Sequence, residues 1–515
     1  VSTDLTERPA RGGLTILLIL AAVKFLIHLT VNATGGYGIF RDELYYIACS
    51  NHLAAGYVDQ PPFSIFVLSV SRFIFGDSLF ALRLLPALAG AGTLLITGLM
   101  VRTLGGSTLA CVIASLAVIV SPIFLGMNAV YSMNAFDIFF WTLAAYLTLI
   151  IIQSGSLRTW LLLGCVVGIG ALNKISMLWL AAGIGTGFLL PPHTKTLRTA
   201  APWLAAGVAF LFFLPYILWN VANGFPHLEF IHNATLNKYA GLSRAGFIAG
   251  QFLINNPVTV PVWLGGLFFL FFRRNGRSFR PLGIAYLVVL AILTINGKSK
   301  AEYLSPAYPM LFAAGGVMWE GLSMYPRGRW LRIALPLLLV SGLIFAPLVL
   351  PVLPVDSYAT YARSLGIQPS SSEGKKLSEL PQFFADMFGW EEKTDSVAAV
   401  FRRLDPEDQA HCAIYAGNYG RCGAIDYYGR KYGLPQSIGR HNNYWLWGPG
   451  NFDGSLLLVL GSGVQDWRKY FDSVETASTV SSPHCMPYED SLSVYICRGL
   501  RVPVSEFWNE IKVYD

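Results

Sequence analysis

The run LTILLILAAVKFLIHLTV at residues 14–31 is followed, after a short polar stretch, by Phe40-Arg41-Asp42-Glu43-Leu44-Tyr45-Tyr46. The first segment is close to the roughly 20 apolar residues needed to cross a hydrocarbon core. The second places two adjacent acids directly after it. Apolar runs of this kind recur as far as about residue 354 and then stop. The chain is 54% hydrophobic and 13% charged over 515 residues, whereas soluble domains carry about a quarter of their residues as charged ones. The composition places the chain in a membrane.

From Asp356 onward Asp, Glu, Lys, Asn and Gly return at soluble density. The expected organisation is therefore an integral domain over 1–355, including outer-face loop helices within 37–76, and a soluble domain over 356–515. The tail is long enough to bury its own core. The formal charge of +7 does not indicate nucleic acid, because the bases gather neither on one face nor in one arm. They alternate between apolar runs: Arg8 and Arg11, Arg102, Arg158, Lys195 with Arg198, Arg273 to Arg280, then Arg327, Arg329 and Arg332. Asp42, Glu43, Asp59, Asp77, Asp137, Glu229 and Glu302 occupy the intervening positions. By the positive-inside rule the basic loops and the N-terminus are cytoplasmic. The first apolar run lacks a small-residue cleavage site and is read as a retained helix.

About eleven spans follow from this alternation, near 14–33, 79–101, 107–126, 136–152, 159–173, 175–190, 201–219, 257–272, 281–296, 304–323 and 331–352. The odd count sends the tail outward. Residues 61–75 are apolar but short, with Ser64, Ser69, Ser71 and Arg72, and read as an interfacial helix. In the tail, 411–416, 455–460 and 492–498 read as strands and 420–432 as a helix, which points to a small α/β layer structure. Cys412, Cys422, Cys485 and Cys497 all lie in this domain. An even number in an oxidising compartment predicts two disulfides, with Cys412–Cys422 and Cys485–Cys497 the first expectation. A zinc site is the rival, without any Cys-x-x-Cys spacing to support it.

Asp42 and Glu43 stand at the depth where lipid head groups meet water. Such a pair suits a catalytic base and a neighbour that tunes it, and a solvated loop acid is the plain alternative. Asp137 opens the fourth span, where an ionisable residue is a functional candidate by default; a helix-dipole acid is the alternative. Asn296-Gly297-Lys298-Ser299-Lys300-Ala301-Glu302-Tyr303 puts lysines on the side where the charge rule does not. A phosphate at head-group level would account for them, and so would snorkelling. Lys174 and Arg83 hold similar positions at outer helix ends. Neither a Walker loop nor a dinucleotide fingerprint occurs.

Taken in order, Arg41-Asp42-Glu43, Val58-Asp59-Gln60-Pro61-Pro62-Phe63, Arg83-Leu84-Leu85-Pro86, Asp137, and Lys298 to Tyr303 with Pro306 and Pro309 resemble the GT-C membrane glycosyltransferases. Within them the likeness is to the superfamily of protein O-mannosyltransferases and lipid A aminoarabinose transferases, those of glycosyltransferase family 39 type. Each motif alone is weak, and the ordered set is fairly specific. The resemblance implies a polytopic α-helical GT-C protein of a bacterial inner membrane. It would carry out an inverting transfer from a polyprenyl-phosphate sugar to an envelope glycan, lipid or protein.

Under that resemblance Asp42, with Glu43 beside it, supplies the general base. Lys298, Lys300, Tyr303, Arg83 and Lys174 bind the donor phosphate, and Tyr57, Asp59, Asp137 and His232 shape the sugar or acceptor pocket. A divalent metal cation at Asp42 and Asp137 is compatible with this reading and not required by it. The tail departs from the sugar-binding trefoil of eukaryotic mannosyltransferases. Asn418-Tyr419-Gly420-Arg421, Asp426-Tyr427-Tyr428-Gly429 and Asn442 to Gly448 resemble bacterial tails instead. A transporter and a ligand-sensing receptor are the rival classes. Transporters commonly show internal repeats, and none is visible here.

Overall fold

The computed structural model describes residues 11–515 apart from 240, 327, 329–332, 370 and 372. Arg8, Arg327, Arg329 and Arg332 therefore lie outside the described residues. The chain divides into two compact units. One comprises Val1–Gly35, Phe80–Leu218 and Leu242–Val352; the other comprises Gly36–Leu79, Trp219–Gly241 and Leu353–Asp515. The compositional boundary at 355/356 falls close to the last of these junctions. That Gly36–Leu79 and Trp219–Gly241 join the tail unit was not visible in composition.

The first unit is helical. Five of its helical stretches, Gly13–Thr34, Leu79–Thr103, Met133–Ser154, Ala201–Ala222 and Arg277–Asn296, are long and apolar enough to cross a membrane, and the pair Arg244–Ile254 and Pro257–Phe272, bent by 85° at the break between them, is so only when taken together. Thr108–Val120, Leu157–Asn173, Met177–Phe188 and Ala334–Leu348 are shorter and equally apolar. The stretch expected at 159–190 is two helices, broken at Lys174 to Ser176.

Local chemistry sets the helix ends. The Ser132 hydroxyl accepts the Asn134 N–H at the start of the Met133–Ser154 helix, and Gly155 closes it with φ 62°. Several buried hydroxyls inside the helices find their partners in the preceding turn, as Thr93 does at Ala89 O and Thr142 at Ile138 O. Helices pack closely where side chains are missing. A Cβ on Gly266 would sit 2.0 Å from Leu311 O, and one on Gly315 2.0 Å from Val262 O. The helices Val260–Phe272 and Tyr308–Ser323 thus meet backbone to backbone, as small residues allow inside a membrane.

The second unit holds a five-stranded mixed sheet: β1 (Cys412–Ala416), β2 (Ser437–Gly439), β3 (Leu456–Gly461), β4 (Phe471–Val480) and β5 (Leu492–Leu500), in the order β2-β1-β3-β5-β4. β1 runs parallel to β2 and β3, whereas β5 is antiparallel to β3 and β4. β3 is central and buried along its whole length, as its continuous Leu-Leu-Leu-Val-Leu run requires. On one side lies a cluster containing Tyr415, Leu457, Val459, Phe471, Phe507 and Trp508.

The helix Arg41–Asn51 packs against the helix Tyr419–Tyr428 within this unit. Two glycines permit it: a Cβ on Gly423 would lie 2.8 Å from the Leu44 carbonyl carbon, and one on Gly420 2.5 Å from Arg41 Cγ. The expected disulfides are corrected here, since all four tail cysteines are free thiols. The Cys422 thiol sits at Ala416 O, 3.4 Å away, at the far end of β1 from Cys412. That strand length is about 13 Å, well beyond disulfide reach. The Cys485 thiol bonds Ser482 O in the turn after β4, while Cys497 faces Val474 far along the hairpin. Short sequence loops do not become short distances when the chain between them is extended strand.

Candidate functional site

In the second unit Asp42 lies in the first turn of the Arg41–Asn51 helix. Its Oδ1 accepts the Tyr419 hydroxyl at 2.9 Å and faces Arg41 Nε at 3.4 Å. Its side chain is 37% exposed. Glu43, adjacent in sequence, is fully buried and accepts the Phe40 N–H at 2.9 Å. This bond reaches back to the residue before the helix and fixes the turn that presents Asp42. The two acids are therefore not equivalent.

Tyr419 also stacks on Tyr45, with ring centroids 4.6 Å apart. The Tyr45 hydroxyl donates to Asp59 Oδ1 at 3.0 Å and accepts the Asn443 N–H at 3.3 Å. Burial pushes the Asp59 carboxyl up to about 6, against the hydrogen bond from Tyr45. Arg41 is held by Asp386 at 3.4 Å, by Glu373 at 3.8 Å and by the Tyr488 hydroxyl at 2.9 Å, with Tyr419 under its guanidinium at 5.4 Å. Burial raises Asp386 to about 7 despite Arg41. The set is a buried aromatic and charged frame around one accessible carboxylate.

Two other expected pocket residues stand apart from this frame. The Tyr57 hydroxyl, with Cys49 O and His52 O both in reach of its one proton, accepts the Ala54 N–H, so it ties its own loop together. His232 is exposed on the helix Pro226–Leu236. Its neighbour His227 is buried, with Nδ1 donating to Val58 O at 3.0 Å, and desolvation lowers its pKa.

The first unit gathers a different set. Asp137 is buried and accepts the Ser176 hydroxyl at 2.9 Å, with Lys174 Nζ at 3.6 Å. Lys174 also donates to Asn134 Oδ1 at 2.8 Å and lies 5.3 Å from the centroid of the Tyr303 ring. The break after Asn173 thus turns a helix end into a cation beside a buried acid. Lys300 lies 4.0 Å from Glu302, and Lys298 Nζ donates to Leu242 O at 3.2 Å. Arg83 is buried at the head of the Leu84–Thr103 helix, where its carbonyl accepts from Asn32 at 3.4 Å. Among the described residues no group of three or more His, Cys, Asp or Glu is arranged to hold a metal ion. Asp42 and Asp137 belong to different units.

Several polar residues went unnoticed in the sequence. Lys24, His28 and Asn32 recur every four residues on one face of the first span and are all buried. Lys24 Nζ donates to Phe124 O at 3.3 Å, and His28 reaches Lys24 O and Leu125 O. Their spacing was the available signal. Tyr419, Tyr45 and Asp386 gave no such pattern, because their significance comes from folding together.

Residues 59–219 match the family described as dolichyl-phosphate-mannose-protein mannosyltransferase. The chain is 32% identical over 181 residues to a putative mannosyltransferase, YkcB, of Bacillus subtilis, covering 32% of this chain and 24% of that protein. It therefore spans only about a quarter of that relative. It is 25% identical over 444 residues to the lipid A galacturonosyltransferase RgtD of Rhizobium johnstonii, covering 83% and 89% of the two chains. In fold it is similar to the crystal structure of ArnT from Cupriavidus metallidurans bound to undecaprenyl phosphate, with a TM-score of 0.62 at 15% identity over 94% and 98% of the chains. In sequence and in helical architecture the chain is thus similar to the GT-C membrane glycosyltransferases.

Proposed function

We propose that the protein transfers a sugar from a polyprenyl-phosphate donor to an envelope acceptor at the outer face of a bacterial inner membrane. In this reading the segment before the first span is cytoplasmic, the chain crosses about eleven times, and the tail domain is periplasmic. The observation that carries the chemistry is the state of Asp42. It is one-third exposed, whereas Glu43, Asp386 and Glu489 around it are buried and committed to other partners. A general base must reach its proton, and Asp42 is the acid of the frame placed to do so.

Asp42 takes the proton of an acceptor hydroxyl as that oxygen bonds to the anomeric carbon. The bond from that carbon to the phosphate oxygen breaks, and its electron pair leaves with the polyprenyl phosphate. Attack from the face opposite the phosphate inverts the anomeric centre. Lys298, Lys300, Tyr303, Arg83 and Lys174 are assigned to the phosphate, where fixed donors stabilise the departing charge. Asp59 and Asp137 are assigned to sugar or acceptor hydroxyls. The test is proteoliposomes given polyprenyl-phosphate sugars and extracted envelope material, followed by mass spectrometry. Consumption of the donor with a matching mass gain on an acceptor supports the reading; an intact donor under every acceptor condition rejects it.

A further inference from the structure

The second unit contains a cavity of about 560 Å³ beside the start of β1, lined in part by His52, Gln409, Gln436, Tyr444, Trp447 and Asn451. Its size is that of a small-molecule site. None of the described residues lining it is Asp, Glu, Lys or Arg. Its titratable side chains are two histidines: His52, and His411 with its Nδ1 3.3 Å from Asp453, so it carries no fixed arginine or lysine fork for a phosphate or a carboxylate and no carboxylate of its own for an amine. One wall is aromatic: the His52 and Trp447 rings stack at 4.2 Å, and Tyr444 meets Trp447 edge-on at 4.9 Å. The polar lining is rich in amides, each of which presents both a donor and an acceptor. His52 is oriented from behind, since Nδ1 donates to Ala48 O at 3.1 Å and Nε2 accepts from Gln436 at 3.0 Å. The rim turns at Gly448 and Gly450, both with positive φ.

Aromatic carbon faces beside uncharged donor and acceptor pairs match a molecule with apolar C–H faces and many hydroxyls. We propose that this cavity binds an uncharged oligosaccharide, the remote part of the acceptor. The proposal rests on the transferase reading above. His52 caps the C-terminal end of the helix whose first turn holds Asp42. Along a helix of that length the separation is about 15 Å, further than one sugar ring reaches. A glycan seated here would hold its acceptor end by binding energy gathered away from the reacting hydroxyl.

The test uses the full chain in nanodiscs without donor lipid, titrated with short neutral oligosaccharides of hexose and N-acetylhexosamine. Uronic-acid oligosaccharides of the same length serve as charged counterparts. Binding is read by saturation-transfer NMR and tryptophan fluorescence. Neutral oligosaccharides should bind and the charged ones should bind about tenfold more weakly. Gln436→Ala, at an exposed position, should weaken neutral binding about tenfold, and Trp447→Ala should abolish it. Preference for the charged series, for neutral peptides or for apolar probes overturns the proposal, as does neutral binding indifferent to both cavity substitutions. Binding without any transfer in the donor assay would sink the transferase reading and leave the cavity assignment standing. Transfer without oligosaccharide binding would overturn the cavity assignment alone.

Discussion

The Tyr419 hydroxyl donates to Asp42 across 2.9 Å, joining the helix Tyr419–Tyr428 of the tail to the helix Arg41–Asn51. This contact orients the carboxylate and occupies one lone pair of Oδ1. Asp42→Asn should lower turnover on the order of 100-fold or more, because size is kept and basicity is lost. Tyr419→Phe should cost less, about tenfold, by releasing the carboxylate from its orientation. The comparison is initial rates at saturating donor for both variants alongside Glu43→Gln. Near-normal turnover in Asp42→Asn would show that the wrong acid is named.

Lys298→Ala, Lys300→Ala and Tyr303→Phe should each weaken donor binding, read as a rise in KM for the polyprenyl-phosphate sugar. Removing one charged or hydrogen-bonding contact to a phosphate is expected to cost about tenfold. Unaltered donor affinity in all three variants would return these side chains to ordinary interfacial snorkelling.

Asp59 carries a pH signature. Its folded value is raised from 3.8 to about 6, so the native state holds a proton that the unfolded state has lost. The associated stability is full below pH 3.8 and declines as pH rises to about 6. Asp59→Asn still accepts from Tyr45 and does not titrate, so it should flatten this part of the profile. Thermal unfolding of both proteins at pH values across that window measures the difference; parallel curves would contradict it.

Gly423→Leu should separate the helices Arg41–Asn51 and Tyr419–Tyr428, since even a Cβ meets the Leu44 backbone at 2.8 Å. Overpacking of this kind costs about 1–3 kcal/mol. We expect a lower melting temperature together with lost turnover, because Asp42 and Tyr419 sit on the two displaced helices. A fully active variant would show that the contact is dispensable.

The tail cysteines should all be free. Native protein should label slowly, because burial raises the thiols of Cys412 and Cys485 to about 12 and about 11 and leaves them protonated at neutral pH. After denaturation without reductant, mass spectrometry should find every cysteine labelled. An unlabelled pair that labels only after reduction would restore a disulfide.

The helical class and three of the five strands were legible because their signals are local. Apolar runs mark the spans, and β3 is a continuous apolar run. β4 (Phe471–Val480) was missed because its side chains are mostly polar, as befits an exposed edge strand. The short β2 carries too few residues to show a pattern. Asp42 could be singled out because it follows an apolar run, whereas the Tyr419, Tyr45 and Asp386 contacts around it join distant segments. The disulfide expectation failed for a related reason: cysteine count reflects composition, and pairing needs geometry that sequence distance does not report.

Asp42 and its partner Tyr419 are 377 residues apart in the chain, and this has a consequence for biogenesis. At synthesis rates of about 5–20 residues per second, roughly 20–75 seconds separate the emergence of the two. Throughout that interval the helix Arg41–Asn51 is without the helix it packs against. Gly420 and Gly423 cannot receive it until the tail is made. The Asp42 carboxylate thus meets its tyrosine partner only once the helix Tyr419–Tyr428 has been made, and a nascent chain, or one truncated before that helix, lacks this contact.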